Sequence, residues 1–450
     1  MHKRQQNEPK INRRKFIHQT GLALGVSALA PVLPVFDSAW KGITGRNHSN
    51  TLKIGLLLPT SYICPAMSDN FMSGLNLFHR KNHEENSVVL VREKIGYGTA
   101  SVVEKSEKLI QEDHVDILAG IVSESIPESL HILLEKNNTY LIANHVGANL
   151  IRSHDHSPYV IHNSINLWQT NYALGAWAVK NIGNTALVIS SFYESGYDAQ
   201  HAFNAGFESS GGSVIHTDLT NLPAEMTAKN DIFTQINKYH PDLIFASFSG
   251  KEAVNFIRDY KRSTHSSNIP LLCSGFAVEG DILPQHGATA EGIYSCMSWD
   301  SGSTGSEYVN FAAGYRELTG KSPDLFALLG FEAAALINHA TKQSDRNLRD
   351  LDFTGIGFIS PRGDLTYNSD THVPDCPLYI RQVSYRDNMT VNVTVEKVDP
   401  VKPANEFYVG LKTGWLNPYQ VINNPFSLSG FSMYIPDFGL WPPSVGYGLL

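Results

Sequence analysis

Many nucleophiles and bases occur in the chain, but none stands at a spacing that completes a catalytic site. Gly96-Tyr97-Gly98 and Gly355-Ile356-Gly357 begin like a dinucleotide loop. Neither continues as G-x-G-x-x-G between a strand and a helix, so both read as turns. There is no G-x-S-x-G elbow, no H-E-x-x-H zinc helix and no phosphate loop. His154-Asp155-His156 could ligate a metal, but it lies in a polar stretch before Pro158 with no third ligand nearby and reads as a solvated loop. Gly120-Ile121-Val122-Ser123-Glu124-Ser125 leads from an apolar run into a helix. Its hydroxyls, Ser123 and Ser125, and the free amides of a helix start suit a carboxylate. One of the serines also serves as a plain N-cap, worth about 1 kcal/mol. The chain reads as a binder and not an enzyme, with no cofactor and no metal.

Such a loop needs a scaffold of strands. Lys53-Ile54-Gly55-Leu56-Leu57-Leu58 is a continuous apolar run ended by Pro59-Thr60, the pattern of a strand buried on both faces in a parallel sheet. A helical stretch follows with Met67, Phe71, Leu75 and Phe78 at spacings of three and four. Strands are expected at 88–92, 116–120 and 140–144, with helices at 101–113 and 125–136 between them. The alternation then restarts with strands at 185–190, 213–216, 242–246, 270–274 and 292–297. Helices separate them at 169–181, 199–209, 231–239 and 251–261. Two more helices, 305–319 and 323–340, precede β-type segments at 378–385 and 391–398. Alternating strands and helices predict α/β architecture, here two doubly wound parallel-sheet lobes. Ligands bind outside the carboxyl ends of such strands, so two facing edges make a cleft.

The chain has 450 residues with 42% hydrophobic and 17% charged, enough for two domains with cores of their own. Its first residues differ from the rest. Arg13-Arg14-Lys15-Phe16-Ile17 stands before a weakly apolar run from Gly21 to Phe36 that contains no acidic residue. This is the layout of a secretory signal, here of the twin-arginine type, assigned to residues 1–41. The run is too short, and too interrupted by Pro31 and Pro34, for a spanning helix. Without residues 1–40, which hold six basic and two acidic residues, the net charge goes from −8 to −12. That balance argues against a nucleic acid partner and against an anionic membrane surface. Cys64, Cys273, Cys296 and Cys376 are far apart, so their spacing decides neither a disulfide nor free thiols. Residues 399–450 are rich in aromatics among prolines and glycines, from Trp415 to Tyr447, and read as a strap over one lobe or as a docking segment.

Several segments together resemble the type I periplasmic binding proteins, in the branch of receptors for branched-chain amino acids and amides. They include Ile54-Gly55-Leu56-Leu57-Leu58-Pro59, Val115-Asp116-Ile117-Leu118-Ala119-Gly120 and Pro241-Asp242-Leu243-Ile244-Phe245. Gly330-Phe331-Glu332-Ala333-Ala334 and Phe358-Ile359-Ser360-Pro361-Arg362-Gly363 follow in the same order and spacing. The resemblance implies two lobes joined by three crossovers, near 162–165, 297–300 and 354–359. Residues 51–163 and 299–354 would form lobe one, and 164–298 and 355–398 lobe two. It also implies a periplasmic receptor of an ABC-type uptake system. Its partners would be a small-molecule ligand and a membrane permease, with no membrane insertion of its own. A sensory or regulatory binding protein on the same fold is the alternative.

The resemblance further implies which residues meet the ligand. In lobe one these are Ser123 and Ser125, the loop with His145 and Gly147, and the 62–67 loop with Tyr62 and Met67. Lobe two would add Tyr193 or Tyr197, together with Ser249 and Phe276. Relatives that bind α-amino acids commonly carry a hydroxyl where this chain has Gly147, and an acidic residue near Gly275-Phe276-Ala277, where it has none. A buried ammonium without a counter-charge is costly. An amide, an aromatic acid or another weakly charged solute is therefore expected.

Overall fold

A computed structural model describes residues 51–400, apart from 61–64, 85–86, 97–98, 123–125, 146–156, 192–198, 221–231, 266–267, 281, 345–350, 352, 354 and 370–371. The expected signal, the aromatic-rich segment from 401 onward and the 154–156 triplet lie outside the described residues.

The first lobe is built from β1 (Leu52–Pro59), α1 (Met67–Lys81), β2 (Val88–Ile95), α2 (Thr99–Gln111), β3 (Ile117–Ile121), α3 (Ile126–Asn137), β4 (Tyr140–His145) and β5 (Val160–Ser164). The strands pair in the order β2-β1-β3-β4-β5, every pair parallel. β3 is apolar along its length, and β1 from Ile54 onward, because helices cover both faces of the sheet. Ile54, Leu56, Ile117 and Ala119 point to one core, Leu57 and Leu118 to the other, as strand alternation requires.

The chain then enters α4 (Leu167–Asn181) and a second series: β6 (Thr185–Ser191), α5 (Ala199–Ser209), β7 (Ser213–Thr220), α6 (Ile232–Tyr239), β8 (Leu243–Ser247), α7 (Gly250–Arg262) and β9 (Leu271–Cys273). A 3-10 turn at Gly275–Val278, the short α8 (Leu283–His286) and β10 (Tyr294–Met297) complete it. Long helices α9 (Ser306–Thr319) and α10 (Leu325–Gln343) return to the first lobe, where Phe311, Leu328 and Leu336 join its core. The second sheet has the order β15-β14-β10-β9-β8-β6-β7, in which β14 (Leu378–Arg386) and β15 (Met389–Val398) run antiparallel at one edge.

One expectation is corrected here. The third crossover, expected at 354–359, lies later in the chain. Residues 357–375 form an extra antiparallel sheet of β11 (Gly357–Ser360), β12 (Gly363–Tyr367) and β13 (Pro374–Asp375). Ile356, Leu365, Tyr367 and Cys376 pack into the first lobe's core, so the chain reaches the second sheet only at Leu378. β11 shows mixed half-exposed positions, not a sheet-core run, and apolar patterning therefore did not reveal it. Among the described residues Cys273, Cys296 and Cys376 are free and buried. Burial pushes their thiols up, Cys296 to about 12, so they stay protonated and unreactive.

Candidate functional site

Both outgoing connections leave from the carboxyl ends of strands: β5 runs into α4, and β10 into the segment before α9. α4 leads back to the start of β6, so its N-terminus stands by the carboxyl edge of the second sheet. The two carboxyl edges consequently border the same region, next to the connections. Ser298 Oγ donates to Ile165 O at 3.0 Å and fastens one connection to the other.

On the first lobe's side, β4 ends in Asn144 and His145, both buried. Asn144 donates to Gly120 O and Ile142 O at 2.9 and 3.0 Å, tying the ends of β3 and β4 together. His145 Nε2 lies 3.0 Å from His162 Nδ1, with the rings edge-on. Burial without a counter-charge lowers the His145 pKa to about 4, so the ring is neutral at ordinary pH. Its Nδ1 is buried and has no partner among the described residues. When His162 donates across the pair, His145 Nδ1–H is a free donor at the end of a central strand. His162 was not foreseen, because Val160-Ile161-His162-Asn163-Ser164 carries three polar residues and does not read as a strand. Its polar groups are nonetheless buried and bonded.

The other expected residues divide. Met67 begins α1, but its side chain is 1% exposed and packs into the first lobe's core with Phe71 and Leu75, so it acts as packing. Ser249 is the N-cap residue of α7, and its hydroxyl does not cap that helix. Phe276 sits on the 3-10 turn, half-buried, against the first lobe's core and also against Leu167 and Ala199 of the second. It is therefore a side chain of the second lobe that touches the first. Gly275 before it packs closely on Met297, whose side chain would have to shift to admit a Cβ, since that Cβ would lie 2.1 Å from Met297 Sδ. Tyr62, Ser123, Ser125, Gly147, Tyr193 and Tyr197 lie outside the described residues.

A second polar group was also missed. Ser190 and Ser247 are register partners on β6 and β8, and Ser274 N bonds Ala246 O beside them. By alternation all three share the sheet face of Val188, Phe245 and Leu272, which α4 and α5 cover. Phe203 of α5 stacks on Phe245 at 4.0 Å. Gln200, one turn nearer the strand ends, and Asn204 are fully buried. Among the described residues, the side-chain amides of Gln200 and Asn204 and the hydroxyls of Ser247 and Ser274 have no partner. Serines that end apolar strands are a signal the sequence did hold, but reading them as β-strand termini gave no reason to single them out.

Two carboxylates near this edge are committed. Glu279 Oε2 accepts from Arg381 Nη1 at 2.6 Å, and both side chains are nearly or fully buried. Asp300 accepts from Gly302 N and Thr394 Oγ1 at 2.9 and 2.8 Å. No group of three metal-ligating residues occurs among the described residues. A recess of about 250 Å³ opens at the opposite, amino-terminal edge of the second sheet, beside Tyr260, Leu271 and Tyr294. There the Tyr260 hydroxyl donates to Ile269 O and Lys261 Nζ to Glu291 O, and the recess is remote from the connections.

A model of the periplasmic binding protein family matches residues 51–388. The chain belongs to this family. The Leu/Ile/Val-binding protein homolog 6 of Brucella melitensis biotype 1 is 22% identical over 355 residues, covering 76% of this chain and 90% of the relative. A solute binding protein of an ABC transporter from Rhodopseudomonas palustris BisB5, in complex with 3,4-dihydroxybenzoic acid, aligns with a TM-score of 0.67 at 22% identity. That alignment covers 79% of this chain and 99% of that one. The substrate binding protein LivJ of Streptococcus pneumoniae, in complex with isoleucine, aligns with a TM-score of 0.61 at 15% identity, covering 76% and 99%. At such identities the likeness establishes the fold: this periplasmic binding protein has the two-lobed type I architecture that its segments resembled.

Proposed function

We propose that this protein is an exported solute receptor of an ABC-type uptake system, and that its ligand is a small aromatic carboxylate. One observation carries the ligand class. Among the described residues near the 275–278 turn, the carboxylates that could neutralise an α-ammonium, Glu279 and Asp300, already hold partners. An ammonium brought there would be buried unpaired, at a cost of several kcal/mol. A carboxylate finds better company in the neutral His145 donor. Phe276 supplies an apolar wall for a ring, and the uncharged Gln200, Ser247 and Ser274 suit a hydroxyl on it. Of the solved relatives, the one with dihydroxybenzoic acid fits this chemistry better than the one with isoleucine.

The receptor performs no chemistry on its ligand: its residues hold, orient and release it. Export by the twin-arginine route is part of the reading and rests on Arg13-Arg14-Lys15-Phe16-Ile17. The test is a thermal-shift series with benzoate, 4-hydroxybenzoate, 3,4-dihydroxybenzoate, leucine and isoleucine. At a hundred times Kd a true ligand adds about 2.7 kcal/mol, a rise of several degrees in melting temperature. Stabilisation by the aliphatic amino acids and by none of the benzoates would overturn the ligand class. Consumption of a benzoate during incubation would overturn the receptor role.

A further inference from the structure

The three connections between the lobes meet at one side chain. Arg362, in the tight turn between β11 and β12, is buried, and its five N–H donors all find acceptors. Nε and Nη2 form a fork on Glu332 Oε1 and Oε2, each at 2.8 Å. Nη1 donates to Ser164 O at 2.9 Å in the first connection and to Ser298 Oγ at 3.2 Å in the second. The other Nη2 donor reaches Asn163 Oδ1 at 3.4 Å. Cys376 Sγ, 3.9 Å from Nη1, belongs to the third connection, just before the chain enters the second sheet. From that sheet Tyr379 donates to the backbone oxygen of Arg362 at 2.7 Å.

We propose that Arg362 is a positioning residue for ligand capture: fixed to Glu332 of α10, it is the pivot that sets the angle between the lobes and hence the affinity for the solute. Glu332 is fully buried within the first lobe, so the guanidinium is a fixed point of that lobe. Turning one lobe against the other requires changes of φ and ψ in the connections. Ser164, Ser298 and Cys376 are the places where each connection touches the fixed point. Rotation about that point leaves these bonds intact, whereas rotation about any other axis breaks at least one and strands a buried polar group. Stability does not require an ion pair here, since a buried pair replaced by apolar groups of like volume is often neutral or stabilising. What the planar fork supplies is geometry, and lysine, with a point charge and three donors, cannot reproduce it.

The proposal rests on capture by lobe closure, but not on the identity of the solute. The test compares parent protein with the double variant Arg362→Met/Glu332→Leu, and with Ser298→Ala, which keeps the ion pair and cuts the link to the second connection. X-ray scattering of ligand-free protein reads the opening of the lobes, and titration calorimetry with 4-hydroxybenzoate reads affinity. The double variant should melt within a few degrees of the parent, show a larger and broader distribution of dimensions, and bind at least tenfold more weakly. Ser298→Ala should move both readouts in the same direction and by less. Parental scattering from Ser298→Ala and from a folded double variant overturns the pivot. If the double variant does not fold, parental scattering from Ser298→Ala alone is sufficient to overturn it. If the parent itself fails to bind 4-hydroxybenzoate, the ligand reading falls and the scattering still decides the pivot.

Discussion

Among single residues, several uncharged polar side chains at or near the carboxyl ends of the strands are buried, His145, Gln200, Ser247 and Ser274 among them. His145 carries the largest consequence. Its pKa is near 4 in the folded protein and near 6.5 in the unfolded chain, so between those values the unfolded chain binds the proton more readily. The neutral ring's contribution is complete above about pH 6.5, falls as pH drops from there and is fully lost below about pH 4. The cost amounts to roughly 3 kcal/mol. Burial lowers the pKa values of His79 and His286 too, and these act in the same direction. Urea unfolding at pH 7.5 and pH 4.5 should therefore show a stability loss that shrinks in His145→Asn. An equal loss in that variant would place the effect elsewhere. Gln200 yields a prediction of opposite sign. A fully buried carboxamide without partners costs about 1–3 kcal/mol. Gln200→Leu should thus raise the melting temperature of the ligand-free receptor and reduce the further rise that 4-hydroxybenzoate produces. A drop in melting temperature, as for an ordinary core lesion, would show that the amide is satisfied.

At the scale of elements, the lobes share a packing device. α1 meets α10 through Gly74 and Gly330, and α4 meets α5 through Gly175 and Gly206. A Cβ on Gly74 would lie 1.8 Å from Ala327 O, one on Gly330 1.9 Å from Phe71 O, and one on Gly206 2.0 Å from Tyr172 O. The obstructing atoms are backbone, which cannot swing aside, so Gly206→Ala should cost about 3 kcal/mol by forcing α4 and α5 apart. Denaturant unfolding checks this, and a change below 1 kcal/mol would mean that the helices separate without loss. The helices and strands of the two series were legible because apolar residues recur at the periods of buried helices and strands, as in Leu52–Pro59 and Leu243–Ser247. β5 and the β11–β13 sheet were not. Their polar residues are buried only because partners from far along the chain meet them, as Asn163 meets Asn144, Leu329 O and Tyr367.

At the scale of the whole molecule, a receptor that closes about its connections should respond to ligand unevenly. Addition of 4-hydroxybenzoate should slow amide exchange at 163–166, 275–278 and 297–300 and leave the outer strands β2 and β15 unchanged. Uniform slowing would indicate general stabilisation in place of closure. Fold class, the order of most elements and the resemblance to a family were readable from residue order alone, because periodicity and motif order are local properties of a chain. His145 ends β4, and Phe276 lies on the 3-10 turn that follows β9. Long-range packing alone makes Met67 core, commits Glu279 to Arg381 and carries the third crossover through Cys376 into the second sheet at Leu378. The convergence of Asn163, Ser298, Glu332 and Arg362 likewise joins residues up to 199 positions apart. Whether a polar side chain is free, paired or buried depends on such distant partners, and no local pattern records them.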